Sequence, residues 1–210
     1  MKDQTSPAQQ KILDAASAVF AEEGFAGARV DEIAHRAGVN KAMLYYYVGN
    51  KQALYTSVLT RNFGRMEEAL DEALARGGSA IERLEALIAG VARTLRDLPD
   101  HPRIVLREFA SAGTNLQPEV LERMVQIIGR VRGLLYDGVD NGQFRATDPV
   151  MTHLALVGAS LILSAVSPLR QRVSEIDSEV AAAQEDADVG VFLADLLLHG
   201  IAQPTTGDAT

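Results

Sequence analysis

Residues 30–48 read VDEIAHRAGVNKAMLYYYV. The spacing predicts a short helix to Ala37, a glycine turn and a second short helix. Gly38 suits the left-handed position just past a helix C-terminus, where a residue without Cβ costs least. Val39 gives the turn an apolar plug. Asn40 can cap the second helix by accepting a bond from a first-turn amide. Ile33, Ala34 and Ala37 share one face of the first helix, and Leu44 and Val48 share one face of the second. Two short helices crossing on small residues form a helix-turn-helix. In that motif the second helix enters the major groove of DNA.

Charge is divided around this stretch. The 210-residue chain carries a formal charge of −8. Residues 1–62 hold seven Lys/Arg against six Asp/Glu, and the remainder hold thirteen against twenty-two. A near-neutral head and an acidic remainder suit a protein whose head touches phosphate while its body turns away. The acidic surface also keeps a protein soluble. There is no cysteine, which excludes disulfides, thiolate metal sites and cysteine nucleophiles and fits a cytoplasmic location. The first residues lack the apolar segment of a signal peptide.

Helical signals fill the rest. Ser6-Pro7-Ala8-Gln9 and Ser79-Ala80-Ile81-Glu82 are capping boxes, and Asp148-Pro149 pairs a cap with a first-turn proline. Apolar stripes at helical spacing follow each: Ile12, Leu13, Ala16, Val19 and Phe20 up to Gly24, then Leu59 to Leu74 in a long helix capped by Asn50. Leu84 to Leu95 and Leu121 to Leu135 form two more, with a shorter helix at about 102–112 between them. Residues 149–169 carry no formal charge. Their serines, His153 and two prolines argue for a helix buried in protein rather than a membrane span. Residues 171–188 read as an acidic loop or surface helix. Residues 188–199 form a last helix, apolar nearly all round, which needs cover on both faces. No segment of useful length has strand periodicity. The fold class is all-α, with about nine helices. The expected division is a helix-turn-helix domain at 1–50, a helical body at 51–202 and a disordered tail at 203–210.

The head resembles that of the TetR/AcrR family of transcriptional regulators. The resemblance is carried by Ile12-Leu13-Asp14-Ala15-Ala16, Phe20 to Phe25, Val30 to Ala34, Ala37-Gly38-Val39-Asn40-Lys41, Leu44 to Tyr47, Lys51 and Ala53-Leu54. Gly142-Gln143-Phe144-Arg145 and Phe192 to Gly200 resemble the ends of many members. Three positions depart from the family pattern. Ala28-Arg29 stand where a hydroxyl cap is usual, Asn40 stands where Ser is commonest, and Val48 replaces a usual Phe. The resemblance implies a nine-helix homodimer with a ligand pocket in the body and the last two helices as the dimer interface. The uncharged 149–169 helix and the apolar 188–199 helix fit that role on their own residues.

Helical geometry nominates the contacts. With Leu44 inward, Ala42, Tyr45 and Tyr46 face outward, and Tyr47 packs inside. Lys41 can reach guanine acceptors, and Ala42 or Met43 can sit on thymine methyls. Tyr45, Tyr46, Lys51 and Arg29 can hold phosphates. Asn40 completes the set as the cap of the reading helix. A near-palindromic operator in double-stranded DNA follows from a symmetric dimer. Polar or aromatic residues within the apolar helices are candidates for an effector pocket: Phe63, Met66, Arg107, Phe109, Tyr136 and His153. The ligand is an unidentified small molecule, and Arg107 is expected to pair with a carboxylate. No cofactor or metal is expected. Glu32 and His35 have the spacing of a di-iron half-motif, but that chemistry needs two such motifs and further carboxylates. His35, His101, His153 and His199 lack metal spacing, and no Ser/His/Asp arrangement is visible, so an enzyme is not expected. The function read from the sequence is a ligand-responsive transcriptional regulator, a repressor released from its operator by a small molecule. The alternatives are a regulator without ligand control and a helical protein-binding module.

Overall fold

In a computed structural model, residues 6–177 and 188–201 are described. They form ten α-helices and no β-strand. The helices are α1 (Pro7–Gly27), α2 (Val30–Ala37), α3 (Lys41–Val48), α4 (Lys51–Ala75) and α5 (Ala80–Asp97). They continue with α6 (His101–Ala110), α7 (Pro118–Asp140), α8 (Pro149–Ala165), α9 (Ser167–Ser174) and α10 (Val189–Ile201). Most of the 171–188 segment and the 203–210 tail lie outside the described residues.

Local chemistry sets the boundaries. The Ser6 hydroxyl accepts from the Gln9 amide at 3.2 Å, and Pro7 occupies the first turn of α1. Gly24 leaves the helical region (φ 70°, ψ 175°), so α1 kinks there before its last turn ends at Gly27. Ser79 and Glu82 cap α5 reciprocally, at 2.8 Å and 3.2 Å. Asp148 accepts from the Val150 and Met151 amides to start α8.

The uncharged 149–169 stretch is not one helix. It breaks at Val166, and α9 leaves α8 at 52°. Pro168 explains the break: it has no amide to donate, and its ring collides with the carbonyl four residues back. No single helix among the described residues is long and apolar enough to cross a membrane.

The chain divides into two compact units. One holds residues up to Gly64 together with Leu98–Arg123, and the other holds Arg65–Asp97 and the residues from Met124 onward. In the first, α1 packs on α2, α3 and α6. Its centre is aromatic: Tyr55 lies 4.7 Å from Phe20 and 5.0 Å from Phe25 between ring centroids. The Tyr55 hydroxyl donates to the buried Glu108 carboxylate at 2.6 Å. That carboxylate also accepts from the Asn115 side chain at 3.0 Å and more weakly from its amide at 3.4 Å. Burial and the adjoining carboxylate raise the Tyr55 pKa, so the hydroxyl stays a donor. Arg107 donates to the backbone carbonyl of Glu22 at 2.8 Å, tying α6 to α1. The bonds from Tyr55 to Glu108 and from Arg107 to Glu22 tie α6 into the unit that carries the helix-turn-helix.

In the second unit, α5 packs against α8 and α10. Leu84, Leu87, Ile88, Leu134, Leu156 and Leu193 are among the residues of its core. After α7 the chain folds back on itself, with the Phe144 amide donating to the Gly138 carbonyl at 2.9 Å. A Cβ on Gly138 would overlap the Phe144 ring, so glycine is required there. The Gln143 side chain accepts from the Ala80 amide at 2.6 Å, closing the start of α5. The Arg145 amide donates to the Ile201 carbonyl at 2.8 Å and anchors the end of α10.

His101 is buried against Phe63, ring edge to face at 5.2 Å, and burial pushes its pKa down to about 4. The unfolded chain, with a value near 6.5, therefore takes up a proton first as pH falls. Stability from this site is complete above about pH 6.5 and declines toward pH 4, by about 3 kcal/mol. Replacing His101 with Leu should flatten that part of the stability–pH curve, measured as the urea midpoint at each pH. Parallel curves for the two proteins would contradict the assignment.

Candidate nucleic-acid interface

The helix-turn-helix is built by backbone bonds and a small core. Gly38 is left-handed (φ 69°, ψ 29°). Its amide donates to the His35 carbonyl at 3.1 Å, and the Val39 amide to the Ala34 carbonyl at 3.0 Å. This pair of bonds closes α2 and fixes the exit direction of the chain. The Asn40 side chain accepts from the Met43 amide at 2.7 Å and starts α3. Ile33, Ala34 and Ala37 of α2 and Leu44 and Val48 of α3 are all buried. The opposite face of α3 is open: Lys41, Ala42, Met43, Tyr45 and Tyr46 are all exposed. Tyr46 is 85% exposed, the most open aromatic side chain among the described residues. Tyr47 is half-buried and packs edge to face on Tyr46 at 5.4 Å.

The structure therefore brings Asn40, Lys41, Ala42, Met43, Tyr45 and Tyr46 onto one short helix. Arg29 is exposed immediately before α2 and makes no side-chain capping bond. Lys51 behaves differently from a free phosphate contact. Its ammonium donates to the Ala26 carbonyl at 3.1 Å and sits 4.9 Å from the centre of the Phe25 ring. It clasps α4 to the end of α1 with one of its three donors. Lys41 pairs with Asp31 at 2.8 Å. Arg36 is held by Glu22 and Glu32, at 2.8 Å and 2.7 Å. The sequence reading did not include Asp31 or Arg36. Their positions in the first and last turns of α2 were the signals available for such pairs.

Of the six pocket candidates, three lie in each unit. Phe63, Arg107 and Phe109 belong to the first unit, and Met66, Tyr136 and His153 to the second. Phe109 and Tyr136 are about half exposed, at 45% and 51%. Arg107 meets the Glu22 carbonyl rather than the expected carboxylate. Met66 is half-buried. His153 is buried, and its Nδ1 has no hydrogen-bond partner. A cleft of about 440 Å³ does exist in the first unit, lined by Asn50, Gln52, Thr56, Ser57, Thr60 and Gln117 among others. None of the six candidates lines it. Glu32 is engaged by Arg36, and no group of three His, Asp or Glu among the described residues could hold a metal ion.

The head geometry agrees with what the chain is similar to. Residues 12–58 match the family described as bacterial regulatory proteins, tetR family. Residues 77–163 match a tetracyclin repressor-like C-terminal domain. An HTH-type transcriptional repressor of Streptomyces coelicolor is 31% identical over 166 residues, covering 78% of this chain and 81% of its own. This chain belongs to the TetR family of transcriptional regulators. The HTH-type transcriptional repressor NicS of Pseudomonas putida is 29% identical over 200 residues, 94% of each chain. The solved structure of FadR from Bacillus subtilis in complex with stearoyl-CoA shares the fold, with a TM-score of 0.67 at 20% identity. That likeness covers 90% of this chain and 95% of the other.

As a TetR-family regulator the protein binds DNA. Asn40→Ala should remove the cap and cost about 1 kcal/mol of local stability. Hydrogen exchange at the Met43 amide should accelerate accordingly, while Asn40→Asp should preserve protection. Unchanged exchange in Asn40→Ala would show that α3 is held without its cap.

Proposed function

We propose that this regulator is a homodimeric repressor that acts in the cytoplasm and is released from a near-palindromic operator by a small molecule. The observation that carries the DNA half is the open face of α3. Its first turn presents Lys41, Ala42 and Met43, of sizes and chemistry suited to base edges and thymine methyls. Tyr45 and Tyr46 follow, with hydroxyls suited to phosphate oxygens. A helix whose buried face is Leu44 and Val48 leaves every one of these side chains exposed on the side away from the core.

The dimer half is supported by α8 and α10, which pack on each other within the second unit. Both keep large apolar side chains in water: Val150, Met151, Leu154 and Ile162 on α8, and Val191, Phe192 and Leu196 on α10. Contiguous exposed apolar surface of this kind marks a protein contact. A second copy pairing through these faces would cover it and bring two heads onto one duplex. The expectation that α10 needs cover on both faces is half met inside the chain, where Gly190, Leu193 and Ile201 are buried.

Repression is supported by the relatives named as repressors, and effector release by the FadR structure with its bound acyl-CoA. A ligand can shift the operator equilibrium only by its difference in affinity between the free and DNA-bound forms. Selection of bound sequences from random DNA should return a two-fold symmetric consensus, and the effector should abolish the enrichment. An asymmetric consensus, or none, would overturn the proposal.

Two variants test the parts. Lys51→Ala should lower the slope of log affinity against log salt by about 0.9 if the ammonium's remaining donors neutralise one phosphate. An unchanged slope with lost thermal stability would leave Lys51 only its clasp on Ala26. Leu154→Glu together with Phe192→Glu should convert the dimer to monomer by analytical ultracentrifugation and weaken operator binding at least tenfold. A dimer that persists in this variant would place the interface elsewhere.

A further inference from the structure

Three cations around α3 already have partners within the protein. Arg36 is spent on two glutamates and Lys51 on a carbonyl and a ring. Lys41, the cation of the reading helix itself, lies 2.8 Å from Asp31 on the first turn of α2. Both partners are open to solvent, with side chains 51% and 61% exposed. The pair thus stands on the surface rather than inside the motif's core. It has no packing to maintain, and an exposed pair of this kind adds little to stability. Asp31 nevertheless puts a carboxylate beside the side chain assigned to a base edge. The hydrogen bond from Lys41 holds the Asp31 carboxyl below its usual range, and Asp31 in turn raises the Lys41 ammonium. Arg29 is close enough to act on both.

We propose that Asp31 is a specificity-determining residue, an internal counter-ion that a DNA acceptor must displace before Lys41 can bind. The inference rests on the reading of α3 as the DNA-contacting helix. On random DNA the acceptor offered to Lys41 is a phosphate, one anion exchanged for another, with little gain. At the operator the acceptors are the O6 and N7 atoms of a guanine, fixed in register by the other contacts of α3. Asp31 therefore subtracts the full energy of the pair at the operator, where Lys41 must leave it, and less on random DNA, where the pair can stay closed. Its own charge also repels phosphate, so the two effects must be separated experimentally.

The test uses the full-length protein, a random-sequence 30-base-pair duplex and a duplex recovered by selection. Asp31→Asn should bind the selected duplex about two- to fivefold more tightly, the range set by an exposed ion pair. Affinity for the random duplex should change less than twofold, so the ratio between the two rises. Asp31→Glu should restore wild-type behaviour on both. In a Lys41→Ala background, Asp31→Asn should have no effect on the ratio. Equal tightening on both duplexes, or the same gain without Lys41, would overturn the inference and leave Asp31 a bare negative charge. If the wild type binds no duplex at all, the reading of α3 fails and this inference fails with it.

Discussion

An eight-residue helix does not persist in water on its own. Nucleation fixes several dihedrals for one hydrogen bond, and isolated helices below roughly 12–15 residues are marginal. Helix α3 has eight residues, so its existence depends on what holds its ends and inner face. Asn40 supplies the missing acceptor at one end, and Gly38 sets the angle at which the chain arrives. Leu44 and Val48 then bury against α2. That platform is held from behind by Tyr55, whose ring packs on Phe20 and Phe25 and whose hydroxyl reaches Glu108. A buried carboxylate without partners would be costly, and Glu108 is satisfied by groups from both α4 and the chain after α6. Loss of any one partner would unsettle the others, because a half-satisfied buried network is less stable than none.

Electrostatics then decides how firmly the head holds DNA. A head with nearly balanced charge has few free cations, and several of those present are paired within the protein. One copy should bind weakly, with affinity built from two copies on one duplex. The same economy makes the protein sensitive to individual charges. On a strongly basic surface the loss of Asp31 would be diluted among many lysines, whereas here it acts on the one cation of α3.

Much of this was legible in the sequence, and the legible part is local. Asn40, Gly38, the Ser79–Glu82 box and Asp148 act on residues within a few positions of themselves, and each does what its type predicts. The outward face of α3 follows from helical geometry once Leu44 is placed inside. What was not legible is pairing over distance. Nothing in the local pattern says that Arg107 will reach a carbonyl 85 residues earlier, or that Glu108 will meet Tyr55. Those bonds place α6 in one unit with the head. The break at Val166 had a signal in Pro168, outweighed by the uncharged composition around it. The pocket candidates rest on residue type, which does not say how exposed a side chain will be: Phe109 and Tyr136 stand half in solvent.

The central claim is that two α3 helices read one duplex symmetrically. Hydroxyl-radical footprinting of the bound duplex tests it most directly, because it maps the backbone covered by each head. The account predicts two protected patches on each strand, related by a two-fold axis and separated by about one helical turn or a multiple of it. A single protected patch without symmetry would contradict it.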